Sequence, residues 1–108
     1  MAHYLIQATY SKQGITDLIS DPQDRAAIVK SVIERLGGTM NSFFFSFGDY
    51  DAVVIAELPD NVTAAALAMA VGSTPGLSSY KTTVLLTSDE AMDAMRKASG
   101  VGYRSPSG

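Results

Sequence analysis

Two apolar runs separated by four residues constrain this chain more than any other feature. In the stretch "SFFFSFGDYDAVVIAEL", Gly48, Asp49, Tyr50 and Asp51 stand between segments rich in Phe, Val and Ile. Those side chains favour the pleated, half-buried surface of a strand. A link this short joins two strands only as an antiparallel pair, because a parallel pair needs a crossover of a dozen or more residues. Glycine and aspartate also suit a tight turn, glycine by reaching positive φ and aspartate by bonding to nearby backbone amides. The chain is therefore read outward from a hairpin.

Before the hairpin, "HYLIQATYS" reads as one strand, and Lys12 to Ser20 as a polar connection holding Gly14. "DPQDRAAIVKSVIERLGG" carries helix signals. Asp21 is placed to cap, Pro22 suits the first helical position, and Asp24 favours the positive end of the helix dipole. Ile28, Val29, Val32, Ile33 and Leu36 recur at three- and four-residue spacing on one face. Gly37 and Gly38 end the helix. After the hairpin, Pro59 stops the second strand and Asp60 caps a helix through "NVTAAALAMAV", closed by Gly72. "YKTTVLLT" is a last strand, and Thr87 with Glu90 forms a capping box for a short helix, "DEAMDAMRKA". Residues 1–99 form one domain on this reading, and residues 100–108 a mobile Gly/Ser/Pro-rich tail unless Tyr103 docks.

The order β-α-β-β-α-β plus a terminal helix is the α+β, ferredoxin-like pattern. Right-handed crossovers put both main helices on one face of a four-stranded antiparallel sheet. The other face is left bare. A patch there holding Phe44, Val54 and Leu85 calls for a cover, since burial contributes roughly 1.5–3 kcal/mol per large apolar side chain. The expected cover is a second copy, giving a homodimer or a multiple of dimers with a cleft between paired sheets. Gln7 and Thr9 are polar within a central strand and belong on the face away from the helices, as do Ser42, Ser46, Lys81 and Thr83. Apolar walls with a few polar groups describe either a small-molecule cleft or a dimer interface bonded through hydroxyls.

Composition narrows the classes. At 108 residues, 46% hydrophobic and 18% charged, the chain is long enough for one modest core and too apolar for disorder. A net charge of −3, with eight scattered basic residues, gives no stripe for nucleic acid. No cysteine is present, which excludes disulfides, thiolate metal sites and thiol catalysis. The lone histidine, His3, reads as a surface strand residue, and no transition-metal site or cofactor is expected. Neither Gly-x-Gly-x-x-Gly nor Gly-x4-Gly-Lys-Ser/Thr occurs. "TAAALAMAV" is too short to span a bilayer, and no signal peptide opens the chain, so a cytoplasmic protein is expected. Met69, Met92 and Met95 read as core filler.

With the whole order in view, "FGDYDAVVIAELPD" resembles the GYD-domain family, small bacterial proteins named for a Gly-Tyr-Asp motif. "SKQGI" is similar to the family's Thr-x-x-Gly segment, with Ser11 replacing threonine and Gly14 retained. Arg25, Leu36-Gly37-Gly38, Gly48-x-Tyr50-Asp51, the close at Glu57, Pro59 and Asp60, Gly76, and the tail Gly102-Tyr103-Arg104 with Pro106 complete a colinear set. The resemblance implies a dimeric α/β barrel, a superfamily that includes monooxygenases, isomerases, dehalogenase-like proteins and amino-acid-sensing domains. It selects no reaction.

Gly48, Tyr50 and Asp51 are a hairpin brace, or Tyr50 and Asp51 form a hydrogen-bonding or proton-transfer pair at the cleft. Lys81 is a solvated strand lysine, an anion anchor or a base. Arg25 braces a loop, pairs with Asp21 or Asp24, or binds an anion. Gln7, Thr9 and Thr83 line the cleft. The function expected is a homo-oligomeric small-molecule-binding module. The alternatives are a cofactor-free monooxygenase- or isomerase-like enzyme and a purely structural assembly protein.

Overall fold

The computed structural model describes residues 1–108. Its elements are β1 (Ala2–Tyr10), α1 (Lys12–Ser20), α2 (Arg25–Arg35), β2 (Thr39–Phe45), β3 (Ala52–Leu58), α3 (Asn61–Gly72), β4 (Leu77–Leu85) and α4 (Ser88–Ser99). The four strands form one antiparallel sheet in the order β2-β3-β1-β4, the ferredoxin-like arrangement expected from the sequence.

The segment Lys12–Ser20, read as a connection, is a helix. Ser11 caps it, its Oγ accepting a hydrogen bond from the Gly14 amide at 3.1 Å. Glycine inside a helix costs about 1 kcal/mol relative to alanine, so it reads as a breaker. Here it is a spacer. A Cβ at Gly14 would collide with the Gly76 carbonyl oxygen, and the Ser11 amide donates to that same oxygen at 2.8 Å. The close approach seats α1 against the entry to β4, where Gly76 sits at φ +128°.

Helix α2 begins at Arg25 rather than Pro22. Asp24 is the cap that forms, its Oδ1 accepting from the Ala27 amide at 3.1 Å. Asp21 instead closes α1 through its own amide. Of the expected apolar face, Ile33 is fully buried, Val29, Val32 and Leu36 pack at the edge of the core, and Ile28 is exposed. Asp60 caps α3 and Thr87 with Glu90 makes the capping box of α4, both as expected. Strand β4 starts at Leu77, three residues before the expected Tyr80.

The core lies between the sheet and its helices: Tyr4 and Ile6 from β1, Val54, Ala56 and Leu58 from β3, Ile33 from α2, and Ala64 and Leu67 from α3. Val54 therefore belongs to the covered face, not to the bare patch. Tyr4 keeps its polar end satisfied, its hydroxyl donating to Asn61 Oδ1 at 2.6 Å.

Helix α4 contributes no buried residue, and Met69, Met92 and Met95 are exposed rather than core. The chain is accordingly elongated, 58 × 33 × 23 Å. Its radius of gyration is 17.3 Å, against about 13 Å for a compact chain of this length. Residues 100–108 carry no helix or strand, and Tyr103 is exposed. No helix is long and apolar enough to cross a membrane.

Candidate functional site

The strand register sorts the candidate residues between two faces. Across the open face runs one row of Phe44, Val53, Gln7 and Lys81, and beside it a row of Ser42, Ile55, Leu5 and Thr83. A third row ends at Leu85, after Thr39, Glu57 and His3. Gln7, Thr9, Lys81 and Thr83 thus share the face that no helix covers. Phe44 is 67% exposed there and Ile55 37%. His3 is half-buried on that face, its Nε2 3.5 Å from Glu57 Oε1.

At one end of this face the structure brings Thr9, Tyr50, Asp51 and Lys81 together around the hairpin. Asp51 is its main tie. Its Oδ2 accepts from the Tyr10 amide at 2.9 Å, and its own amide donates to the Ala8 carbonyl at 2.9 Å. The Ser46 amide donates to the Asp51 carbonyl, and the Ser46 hydroxyl donates to the Tyr50 carbonyl. The Thr9 hydroxyl donates to the Asp49 carbonyl at 3.3 Å. The hairpin is thereby fastened to the end of β1. Gly48 adopts no positive φ, and a Cβ there would meet nothing within 4 Å, so its freedom is not what the turn uses.

The Lys81 Nζ sits 5.4 Å over the centroid of the Tyr50 ring. A hydrogen bond with Tyr50 is the main cause that raises the Lys81 ammonium above its ordinary value. Lys81 is therefore more firmly protonated than a free lysine. It can attract an anion or position Tyr50, but it is a poor general base at neutral pH. Asp51 spends its carboxylate on a backbone amide. This corner reads as a brace with a cation at its rim.

A partly enclosed concavity lies on the other face. A cavity of about 300 Å³ opens between the sheet and the helix layer. Its floor comes from β1, β2 and β3 through residues such as Ile6, Phe43 and Val54, and its rim from α1, α2 and the α3–β4 loop. Three polar side chains beyond the apolar lining matter. Arg25, the first residue of α2, donates to Gln23 Oε1 at 2.9 Å and has no carboxylate within 4.0 Å, neither Asp21 nor Asp24. Tyr10 lies beside it. Burial raises the Tyr10 phenol, while the charge and hydrogen bonding of Arg25 draw it back down and Asp51 pushes it slightly up. Tyr80 stands in the wall with its hydroxyl buried and without a hydrogen-bond partner. Burial pushes its phenol up to about 12.

Of the candidate binding and catalytic residues named from the sequence, Arg25 alone lines this cavity. Tyr10 and Tyr80 were missed. Their signal was parity: both alternate with polar residues of the open face, Thr9 and Lys81, and so had to point toward the helices. The cavity itself depends on α1, which Gly14 concealed.

The family model for the GYD domain matches residues 4–95. No curated protein and no solved structure matches the chain. The match spans all four strands, α1 to α3 and most of α4, and takes in the Ser11–Gly14 cap, Arg25, the Gly48–Asp51 hairpin and Gly76. This chain belongs to the GYD domain family.

Proposed function

We propose that this protein is a homo-oligomeric small-molecule-binding module. The observation that carries the binding half is the cavity of about 300 Å³ beneath the helices, at the lower end of the size usual for ligand pockets. Its walls are mainly apolar, with a few polar groups converging at Arg25, Tyr10 and Tyr80. That combination buries most of a small ligand and fixes its orientation. The site lies within one chain, on the side of the sheet opposite to the cleft expected from the sequence.

The open face supports the oligomeric half. Leu5, Phe44, Val53, Ile55 and Leu85 form an apolar field on a sheet that has no cover in the single chain. A second copy meeting it sheet to sheet buries those residues while Gln7, Ser42 and Thr83 bond across the seam. This face then serves assembly and the helix-side cavity serves binding.

Native mass spectrometry of the full chain tests both halves. The expected species are dimers or multiples of dimers, some retaining an extra small mass. Phe44→Glu places a charge among the exposed apolar residues of the open face, on its edge strand β2, and is expected to yield monomers with an intact far-ultraviolet spectrum. Wild-type protein that runs as a monomer at tens of micromolar defeats the oligomeric half. Binding is read separately, as a ligand-dependent rise in melting temperature.

A further inference from the structure

The chemistry of the cavity narrows what it holds. Resting on the small-molecule reading above, we infer that its ligand is a compact apolar or aromatic monocarboxylate, its carboxylate held by Arg25 at the rim and its apolar body lying over Phe43 and Val54. Three observations converge on that class.

Arg25 is the first. Guanidinium offers five N–H donors in a planar fork that matches a carboxylate bidentately. In this chain the fork meets one neutral acceptor, Gln23 Oε1, and no acidic partner within 4.0 Å. An arginine left without a counter-ion beside an apolar cavity is open to a ligand's charge. Tyr10 is the second. Its phenol stands against the guanidinium, and its ring stacks on Phe45 at a centroid separation of 6.4 Å. It is thus held in place as a second hydrogen-bonding group at the same rim. The third is the lining itself, with Ile6, Phe43 and Val54 forming a floor that no charged side chain interrupts. An oligophosphate or a sugar finds too few donors here, and about 300 Å³ leaves no room for a dinucleotide.

Asp17 also lines the cavity. It opposes an anion and favours an ammonium, as does the charge of Asp51 that reaches the Tyr10 phenol from outside the lining. The Asp17 Oδ1 accepts from Gln13 Nε2 at 2.8 Å in an exposed pair along α1, so one of its two oxygens is already engaged away from the floor. A ligand amino group is therefore not required, and the class is a simple carboxylate rather than an amino acid.

Three probes of one shape separate the possibilities: 3-phenylpropionate, 3-phenylpropanamide and phenylalanine. Each is titrated into the full chain, with methyl resonances of Ile6, Val29 and Val54 reporting occupancy. The expected result is that 3-phenylpropionate binds at least tenfold more tightly than the amide. Arg25→Gln is expected to remove that preference, while Arg25→Lys keeps part of it. Arg25 is partly exposed at a helix start, so both variants are expected to fold. Amide binding as tight as the carboxylate, or a preference that survives Arg25→Gln, overturns the class and leaves the cavity as a neutral site. Tighter binding of phenylalanine overturns it in favour of a zwitterion held by Arg25 and Asp17. If none of the three moves the cavity methyls, the ligand class falls, and the small-molecule reading then stands or falls on the mass retained in native mass spectrometry.

Discussion

The two faces of one sheet differ by a single step along each strand. On β1, Tyr4, Ile6 and Ala8 are buried under the helices, while Leu5, Gln7 and Thr9 between them are half-exposed. On β3 the same alternation sets Val54 and Ala56 against Val53 and Ile55. The covered face is nearly uniform in character: apolar, closely packed, with Tyr4 bonded to Asn61. The open face mixes Phe44 and Ile55 with Gln7, Lys81 and Thr83. Polar groups on the first face must find partners within the chain, whereas those on the second can use water or another molecule. The one buried hydroxyl without a partner on the covered side, that of Tyr80, lies in the wall of the cavity.

This contrast makes ordered predictions. The largest effect is expected from Ile33→Ala, which empties a fully buried site under the helices. A loss of about 2–5 kcal/mol is expected in urea unfolding, against less than about 1 kcal/mol for Ile55→Ala in dilute protein. An Ile55→Ala cost that grows with protein concentration shows the open face buried by a second copy. Equal costs at all concentrations break the distinction between the faces.

Asp51→Ala comes next, at about 1.5–3 kcal/mol, the usual loss for hydrogen bonds to a charged group. The variant frees the Tyr10 amide and loosens the hairpin. Amide exchange at Tyr10 is expected to quicken, while a Tyr50→Phe variant leaves it unchanged. Faster exchange in Tyr50→Phe but not in Asp51→Ala assigns the brace to Tyr50 instead.

Gly14→Ala is expected to cost about 1–3 kcal/mol by overpacking against the Gly76 backbone, which cannot swing aside as a side chain would. It also shifts α1 and is expected to reshape the cavity, read as altered shifts for the Val29 methyls. A neutral or stabilising outcome, as helix propensity alone would give, shows that α1 is not seated on the β4 entry.

The smallest effect is expected at Tyr80. Tyr80→Phe removes a buried hydroxyl that has no partner, so stability is expected to stay level or rise by up to about 1 kcal/mol. The pH dependence carries more information. The folded protein holds the Tyr80 proton up to about pH 12, above the ordinary phenol value of 10.0. Between those values the unfolded chain binds fewer protons than the native one, so stability falls as pH rises from about 10 to about 12. Tyr10 shifts in the same direction. Alkaline unfolding curves of Tyr80→Phe are expected to fall less steeply in that window, and an unchanged slope removes Tyr80 as a cause.

Much of this could be read along the chain because the signals were local. The four-residue link at Gly48–Asp51 forced an antiparallel pair, and that required no knowledge of distant residues. The Asp60 and Thr87–Glu90 caps were legible because a cap bonds within three residues of itself. What was misread depended on contacts far along the chain. Gly14 looks like a breaker until Gly76, more than half the chain away, is placed against it. Val54 and Val53 are both apolar, and only pairing with Ile6 and Gln7 decides which one is buried. The methionines of α4 have helical spacing, which shows a stripe but not whether anything packs on it.

The sequence by itself thus determined the order of the four strands and three of the four helices, the antiparallel hairpin and the family, since periodicity, turn chemistry and colinear motifs are properties of neighbouring residues. The tertiary structure alone decided that Val54 rather than Val53 is buried, that Lys12–Ser20 is a helix, and that Arg25, Tyr10 and Tyr80 meet around one cavity. Those three lie on α2, β1 and β4, and only the closing of the helix layer over the sheet brings such distant residues within reach of a single small molecule.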